Sequence, residues 1–171
     1  MLVAFVTPYF TDSAKLFLRS LVSRPGARVA VVVGESGDML PPELQRAVVC
    51  FEQIDDPLDR EGIAGALARI QAAHGPFARL LGIAEQLQVQ LGELRDRLDL
   101  PGMRAEQAVR FRDKTRMKDV LRAAGVPVAR HRQVETAADA LRFAEEVGYP
   151  IIVKPPAGAA AQSTFRAGDE A

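Results

Sequence analysis

Two lysines and a loop of small residues are the groups in this chain best suited to hold an anion. Lys114 follows Asp113 at what reads as a helix start, and Lys154 closes the apolar run IIVKP. An ammonium group at the end of an apolar strand is costly to bury alone, so Lys154 either reaches solvent or meets a negative partner. Directly after it, Ala157 to Thr164 (AGAAAQST) offers small side chains whose backbone N–H groups can approach an anion closely. Lys114 adds a second cation where a helix dipole already favours negative charge. The residues alone leave two readings open. One is a phosphate site with a loop folding over it; the other is an ordinary strand-end lysine beside a flexible hairpin.

The elements that must position these groups can be read from capping residues and periodicity. Asp113 can cap a helix running to Ala124, with Met117, Val120, Leu121 and Ala124 on one face and Gly125 and Pro127 as its stop. Residues 129–135, ARHRQVE, alternate as a strand does. Thr136 caps the next helix, with Leu141, Phe143, Ala144 and Val147 facing inward and Gly148 ending it. The strand IIVKP (151–155), the loop and a returning strand TFRAG (164–168) follow, and Asp169-Glu170 reads as the opening of another helix.

Upstream, four apolar runs, LVAFV (2–6), RVAVVV (28–33), AVVCF (47–51) and RLLGI (79–83), alternate with helical patterns. The first helix is capped by Thr11, Asp12 or Ser13 and carries Leu16, Phe17, Leu21 and Val22 at helical spacing. A short helix follows Pro41-Pro42, another spans 58–73 with Leu58, Ile63, Leu67 and Ile70 apolar, and a fourth runs from Glu85 to Leu98. This alternation predicts an α/β fold, a mostly parallel sheet with helices on both faces. Ligands of such sheets lie beyond the carboxyl ends of the strands. Thr7 to Tyr9, Gly34 to Gly37, Asp55-Asp56 and Ala84-Glu85 occupy those positions. Glu85 is the candidate facing a substrate crevice, and a first-turn acid favouring its helix dipole is the alternative. The turn after the first strand, TPYFTDS, has no glycine, which disfavours a nicotinamide dinucleotide site. Leu100-Pro101-Gly102 marks a boundary between residues 1–102 and 103–171.

Composition narrows the function class. Hydrophobic residues at 48% and charged residues at 26% suit a water-soluble globular protein, and zero net charge implies no general affinity for nucleic acid or anionic membrane. The charge is uneven: nine basic and three acidic residues lie between Arg104 and Arg132, as a solvated helix face or an anion-binding one. The single cysteine, Cys50, sits in a strand and reads as a structural thiol. The histidines, His74 and His131, read as isolated, and no His or Cys pair has metal-ligand spacing. No apolar run reaches the roughly 20 residues of a membrane span and no signal peptide is evident, so a cytoplasmic protein is expected.

The ordered set RDKTRMKDVLRAAGVPVARH, a capped helix and GYPIIVKPPAGAAAQSTFR resembles the start of the ATP-grasp domain of carboxylate–amine ligases and biotin carboxylase-like proteins. The preceding LGIAEQLQVQLGELRDRLDLPGM resembles the close of that family's pre-ATP-grasp domain. The resemblance implies a Rossmann-like pre-ATP-grasp parallel sheet domain followed by an incomplete α+β ATP-grasp subdomain. It implies that Lys114 and Lys154 contact ATP, and that Gly158, Ala159, Ala160, Gln162, Ser163 and Thr164 belong to a phosphate-covering flap. It also implies Mg²⁺, with its acidic ligands beyond residue 171, and a small carboxylate and an amine as substrates joined through an acyl-phosphate. A homodimer is compatible with it. This stretch alone is then expected not to catalyse, and the alternative is a non-catalytic nucleotide-binding or dimerisation module. Ala159, Ala160, Ala161 and Ser163 stand where the family commonly has glycine, and a left-handed backbone at such residues costs on the order of 1 kcal/mol.

Overall fold

The computed structural model describes residues 1–158, 161 and 163–169, which divide into two compact units, Met1–Ala108 and Val109–Ala171. Ala159, Ala160 and Gln162 of the expected flap, and Glu170 of the expected last helix, lie outside the described residues.

The first unit is built on four parallel strands, β1 (Leu2–Thr7), β2 (Arg28–Val33), β3 (Cys50–Gln53) and β4 (Phe77–Leu81), in the order β3-β2-β1-β4. Every residue of the central strand β1 is buried, which explains its unbroken apolar run. Successive side chains point to opposite faces. Leu2, Ala4, Val6, Ala30 and Val32 join Ile63, Leu67 and Ile70 of α3 (Arg60–His74) and Leu91 and Leu94 of α4 (Gln88–Arg97). Phe5, Val29, Val31 and Val33 join Ala14 and Leu18 of α1 (Asp12–Val22) and Leu44 of α2 (Pro42–Ala47). Burying each large aliphatic side chain is worth ~1.5–3 kcal/mol, so these two layers hold the unit together.

Several expectations shift in detail. Thr11 caps α1 as expected, accepting from the Ala14 N–H at 3.2 Å, but the buried face is Ala14 and Leu18. Leu16 and Phe17 stand 65% and 51% exposed, because the small Ala14 lets the helix sit close to the sheet and fixes its rotation. β3 starts at Cys50 and not at Ala47, which completes α2. β4 ends at Leu81, and the next residue, Gly82, lies so close to the Val6 carbonyl that a Cβ there would be 2.9 Å from it. Leu58 precedes α3, whose cap is Asp59, accepting from Gly62 N–H at 2.7 Å. The helix expected from Glu85 opens as a tight turn, Glu85–Leu87, before α4 begins.

The strand order places the reversal of direction between β1 and β4, where Thr7–Tyr9 and Ala84–Glu85 lie. The loop after β1 is closed by a carboxylate: Phe10 N–H donates to Glu35 Oε2 at 2.7 Å. With Asp12 in the first turn of α1, that position carries negative charge where a dinucleotide pyrophosphate would need donors. Cys50 is half-buried, and burial followed by the Glu52 charge pushes its thiol up, as befits a structural residue.

A helix with no local cap signal, α5 (Ala105–Arg112), follows Gly102. Its first N–H, that of Ala105, is capped from another helix by Asp96 Oδ2 at 3.0 Å. In the second unit come α6 (Lys114–Ala123), α7 (Ala137–Val147) and an antiparallel pair, β5 (Ile151–Val153) and β6 (Phe165–Ala167). Gly125 and Gly148 end the two helices at φ +76° and +80°, a backbone region that costs a glycine little.

Residues 129–135 do not form the expected strand. Among the described residues they have no ladder partner, and their arginines turn to the end of α7. Arg132 makes a two-pronged ion pair with Glu146 at 2.8 and 2.7 Å, and Arg130 donates to the Val147 carbonyl at 3.0 Å. Among the described residues of this unit only Ala144 and Ile151 are buried, and Val120 and Leu141, expected to face inward, are 43% and 44% exposed. No described helix of the chain is long and apolar enough to cross a membrane.

Candidate phosphate-binding site

Asp113 organises the start of α6. Its carboxylate accepts from the Thr115 and Arg116 N–H groups at 2.8 and 3.1 Å, satisfying donors that a helix start leaves open. That cap fixes Lys114 at the first helical position, facing the loop that leaves β5. Lys114 donates from its backbone N–H to the Pro156 carbonyl at 3.0 Å and from Nζ to the Gly158 carbonyl at 2.8 Å. Arg112 Nη1 donates to the same Gly158 oxygen at 3.0 Å. One carbonyl at the entrance of the small-residue loop thus accepts from two cations.

Lys114 and Lys154 line one cleft of ≈ 420 Å³, within the size range of small-molecule sites. Its apolar wall is made by Val134, Phe143, Val147 and Ile151. Arg132 stacks over Phe143 at 5.3 Å while paired with Glu146, which closes that end with a neutralised charge. The cleft therefore combines a flat apolar wall with a cationic rim, a combination suited to a ligand with an apolar ring and an anionic tail.

Of the residues expected to bind phosphate, Lys114 and Lys154 line the cleft, and Gly158 meets Lys114 through its carbonyl. Ser163 and Thr164 are described and exposed. Ser163 and Ala161 have φ of +53° and +58°, the strained conformation expected where glycine is replaced. Glu85 lies in the first unit, exposed, just past β4.

Two cleft residues escaped the sequence reading. Lys118 is one helical turn beyond Lys114, and its i, i+4 spacing was the available signal. Burial, then the charges of Lys154 and Arg122, hold its ammonium pKa below the ordinary lysine range. His131 is not isolated either. A guanidinium can only donate, so Nδ1 accepts from Arg122 Nη2 at 2.9 Å and Nε2 faces Asp119 Oδ1 at 3.2 Å. A second groove, ≈ 470 Å³ between α3 and α4, is lined mainly by alanine and leucine, and its Arg97 is paired with Glu61 at 3.1 Å. It lacks converging polar groups. Among the described residues no group of three or more His, Cys, Asp or Glu side chains could hold a metal ion.

Residues 113–164, from the α6 cap to the end of the loop, match the family model for the carbamoyl-phosphate synthase L chain, ATP binding domain. An L-arginine-specific L-amino acid ligase of Bacillus subtilis is 32% identical over 112 residues, covering 66% of this chain and 27% of the ligase. The carbamoyl phosphate synthase large chain of Thermotoga maritima is 32% identical over 155 residues, covering 85% of this chain and 13% of that protein. This chain thus spans about a quarter or less of the length of these relatives. In fold, it matches the biotin carboxylase domain of the Hydrogenobacter thermophilus 2-oxoglutarate carboxylase, solved with MgADP, ADP and bicarbonate. The TM-score is 0.78 at 18% identity, over 99% of this chain and 38% of that one.

Proposed function

We propose that the cleft of the second unit is the phosphate-binding half of an ATP site in this chain, which belongs to the ATP-grasp superfamily and matches an ATP-binding domain over residues 113–164. The observation that carries this is the convergence of Lys114, Lys154 and the Gly158 loop entrance around one cleft inside the matched segment. Lys114 and Lys154 would hold phosphate oxygens through charge-assisted hydrogen bonds. The loop from Ala157 to Thr164, with Gly158, Ser163 and Thr164, would cover the phosphates, and Ala159, Ala160 and Gln162 would share that role. The apolar wall with Phe143 and Ile151 would receive the base.

The described residues fit ATP but offer no cluster of His, Cys, Asp or Glu side chains for Mg²⁺. The proposed domain layout is a pre-ATP-grasp domain at 1–102 and the first part of the ATP-grasp domain at 103–171. The exposed Ile152, Val153 and Phe165 of β5 and β6 support it. An isolated two-stranded pair is marginal in water, and further strands would cover them. For the whole protein we propose a ligase joining a small carboxylate to an amine through an acyl-phosphate. Glu85 is then a candidate for the substrate crevice.

Equilibrium binding of a fluorescent ATP analogue tests the site. Lys114→Met or Lys154→Met is expected to weaken binding about tenfold or more, the loss of one charge-assisted contact. Unchanged affinity in both variants overturns the reading. Residues 1–171 are expected to show no amine-dependent ADP release; turnover by them alone overturns the partial-site reading.

A further inference from the structure

We propose that Lys118 is a third phosphate-binding cation, forming with Lys154 a two-ammonium seat for one phosphate group beside the position served by Lys114. This rests on the nucleotide reading of the cleft and adds a residue to it. Lys118 shares the face of α6 that carries Lys114, about 6 Å further along the axis, and lines the same cleft as Lys154. It is half-buried there.

The surrounding charges make its position unusual. Four arginines of this unit have acidic partners: Arg116 with Asp113, Arg122 with Asp119, Arg132 with Glu146 and Arg142 with Asp139. Both acids of the α6 segment are engaged, Asp113 as the helix cap and Asp119 with Arg122 and His131. Among the described residues, neither Lys118 nor Lys154 makes a side-chain hydrogen bond or an ion pair. Burial first, and then the charges of Lys154 and Arg122, disfavour the charged form of Lys118. Two ammonium groups facing one cleft without a counter-charge are stabilised by an anion placed between them. Lys114, held on Gly158 by a 2.8 Å hydrogen bond, is engaged with the loop instead. The ligand class is therefore a polyanion with successive phosphates, one toward the loop entrance and one at Lys118 and Lys154.

Calorimetric titration with inorganic tripolyphosphate tests this in the 171-residue chain. Lys118→Met should weaken binding about tenfold, equivalent to ~1.4 kcal/mol. Lys118→Arg should stay within about threefold of the unaltered chain, because it keeps the charge. Lys15→Met, which removes a lysine charge from α1, should leave the affinity unchanged. In the unaltered chain, tripolyphosphate should slow acetylation of Lys118 as read by peptide mass spectrometry. Unaltered tripolyphosphate affinity in Lys118→Met, or acetylation of Lys118 indifferent to tripolyphosphate, overturns this assignment and leaves the nucleotide site standing. An unaltered chain that binds neither ATP nor tripolyphosphate overturns both.

Discussion

Lys114 and Gly158 are joined by a 2.8 Å hydrogen bond in which the ammonium group of one holds the carbonyl at the loop entrance of the other. Arg112 shares that oxygen at 3.0 Å, so the loop has two cationic anchors and either can hold it alone. Lys114→Met is expected to raise tryptic cleavage after Arg166 only about twofold. The double variant Arg112→Met with Lys114→Met should raise it about tenfold, because net hydrogen bonds to charged groups are worth ~1.5–3 kcal/mol. Equal protection in the double variant would show that the anchoring lies elsewhere.

Ala161 and Ser163 sit at φ +58° and +53°, where a Cβ crowds the backbone. Ala161→Gly and Ser163→Gly should each remove strain on the order of 1 kcal/mol, offset in part by the larger entropy of an unfolded glycine. The expected result is a small rise in melting temperature of the second unit and faster amide exchange in the loop. A fall in melting temperature for both variants would contradict the strain.

What was legible in the sequence, and what was not, divides along one physical line. Thr11, Asp113 and Thr136 cap helices with their own side chains, and Gly125 and Gly148 end them with their own φ, so those boundaries are local and readable. Lys114, Lys154 and the loop stood out because a lysine after an apolar strand needs a reason. The misreadings depend on partners distant in sequence. α5 is capped by Asp96, nine residues before Ala105. The face of α1 follows the small Ala14 and not the large Leu16 and Phe17. Residues 129–135 alternate like a strand, but alternation names a face and supplies no neighbour to pair with. Lys118 was passed over because only the folded cleft shows it beside Lys154.

Asp139 gives the second unit an acid-sensitive point. Hydrogen bonds from the Thr136 hydroxyl and then from Arg142 pull its carboxyl from 3.8 to about 2, and the Thr136 N–H adds to this. A group whose folded pKa is depressed contributes stability that is full above its unfolded value and lost as pH falls through the folded one. Circular dichroism should therefore show α7 losing stability between about pH 4 and pH 2. Asp139→Asn should flatten that dependence while leaving the capping hydroxyl in place. An unchanged acid profile in the variant would remove Asp139 from the account.

Arg95 ties the first unit together from inside α4. Its guanidinium donates twice to the Leu80 carbonyl, at 3.0 and 2.8 Å, and once to the Met103 carbonyl at 3.0 Å. Burial holds its pKa below the ordinary arginine range, so the charge persists there by virtue of these carbonyls. The Cβ of any residue replacing Gly102, itself at φ +139°, would lie 3.0 Å from the Arg95 side chain, so the turn before α5 is shaped around this arginine. Arg95→Met keeps the apolar stem and removes all three bonds. It should destabilise the first unit by about 2 kcal/mol, less than the sum of three bonds because water reaches part of the vacated space. Chemical denaturation followed by far-UV circular dichroism reads this directly. Arg95→Lys, which keeps the charge without the planar fork, should recover less than half of the loss. Full recovery by lysine would mean that charge, and not the fixed geometry of the guanidinium, is what holds β4 to the turn.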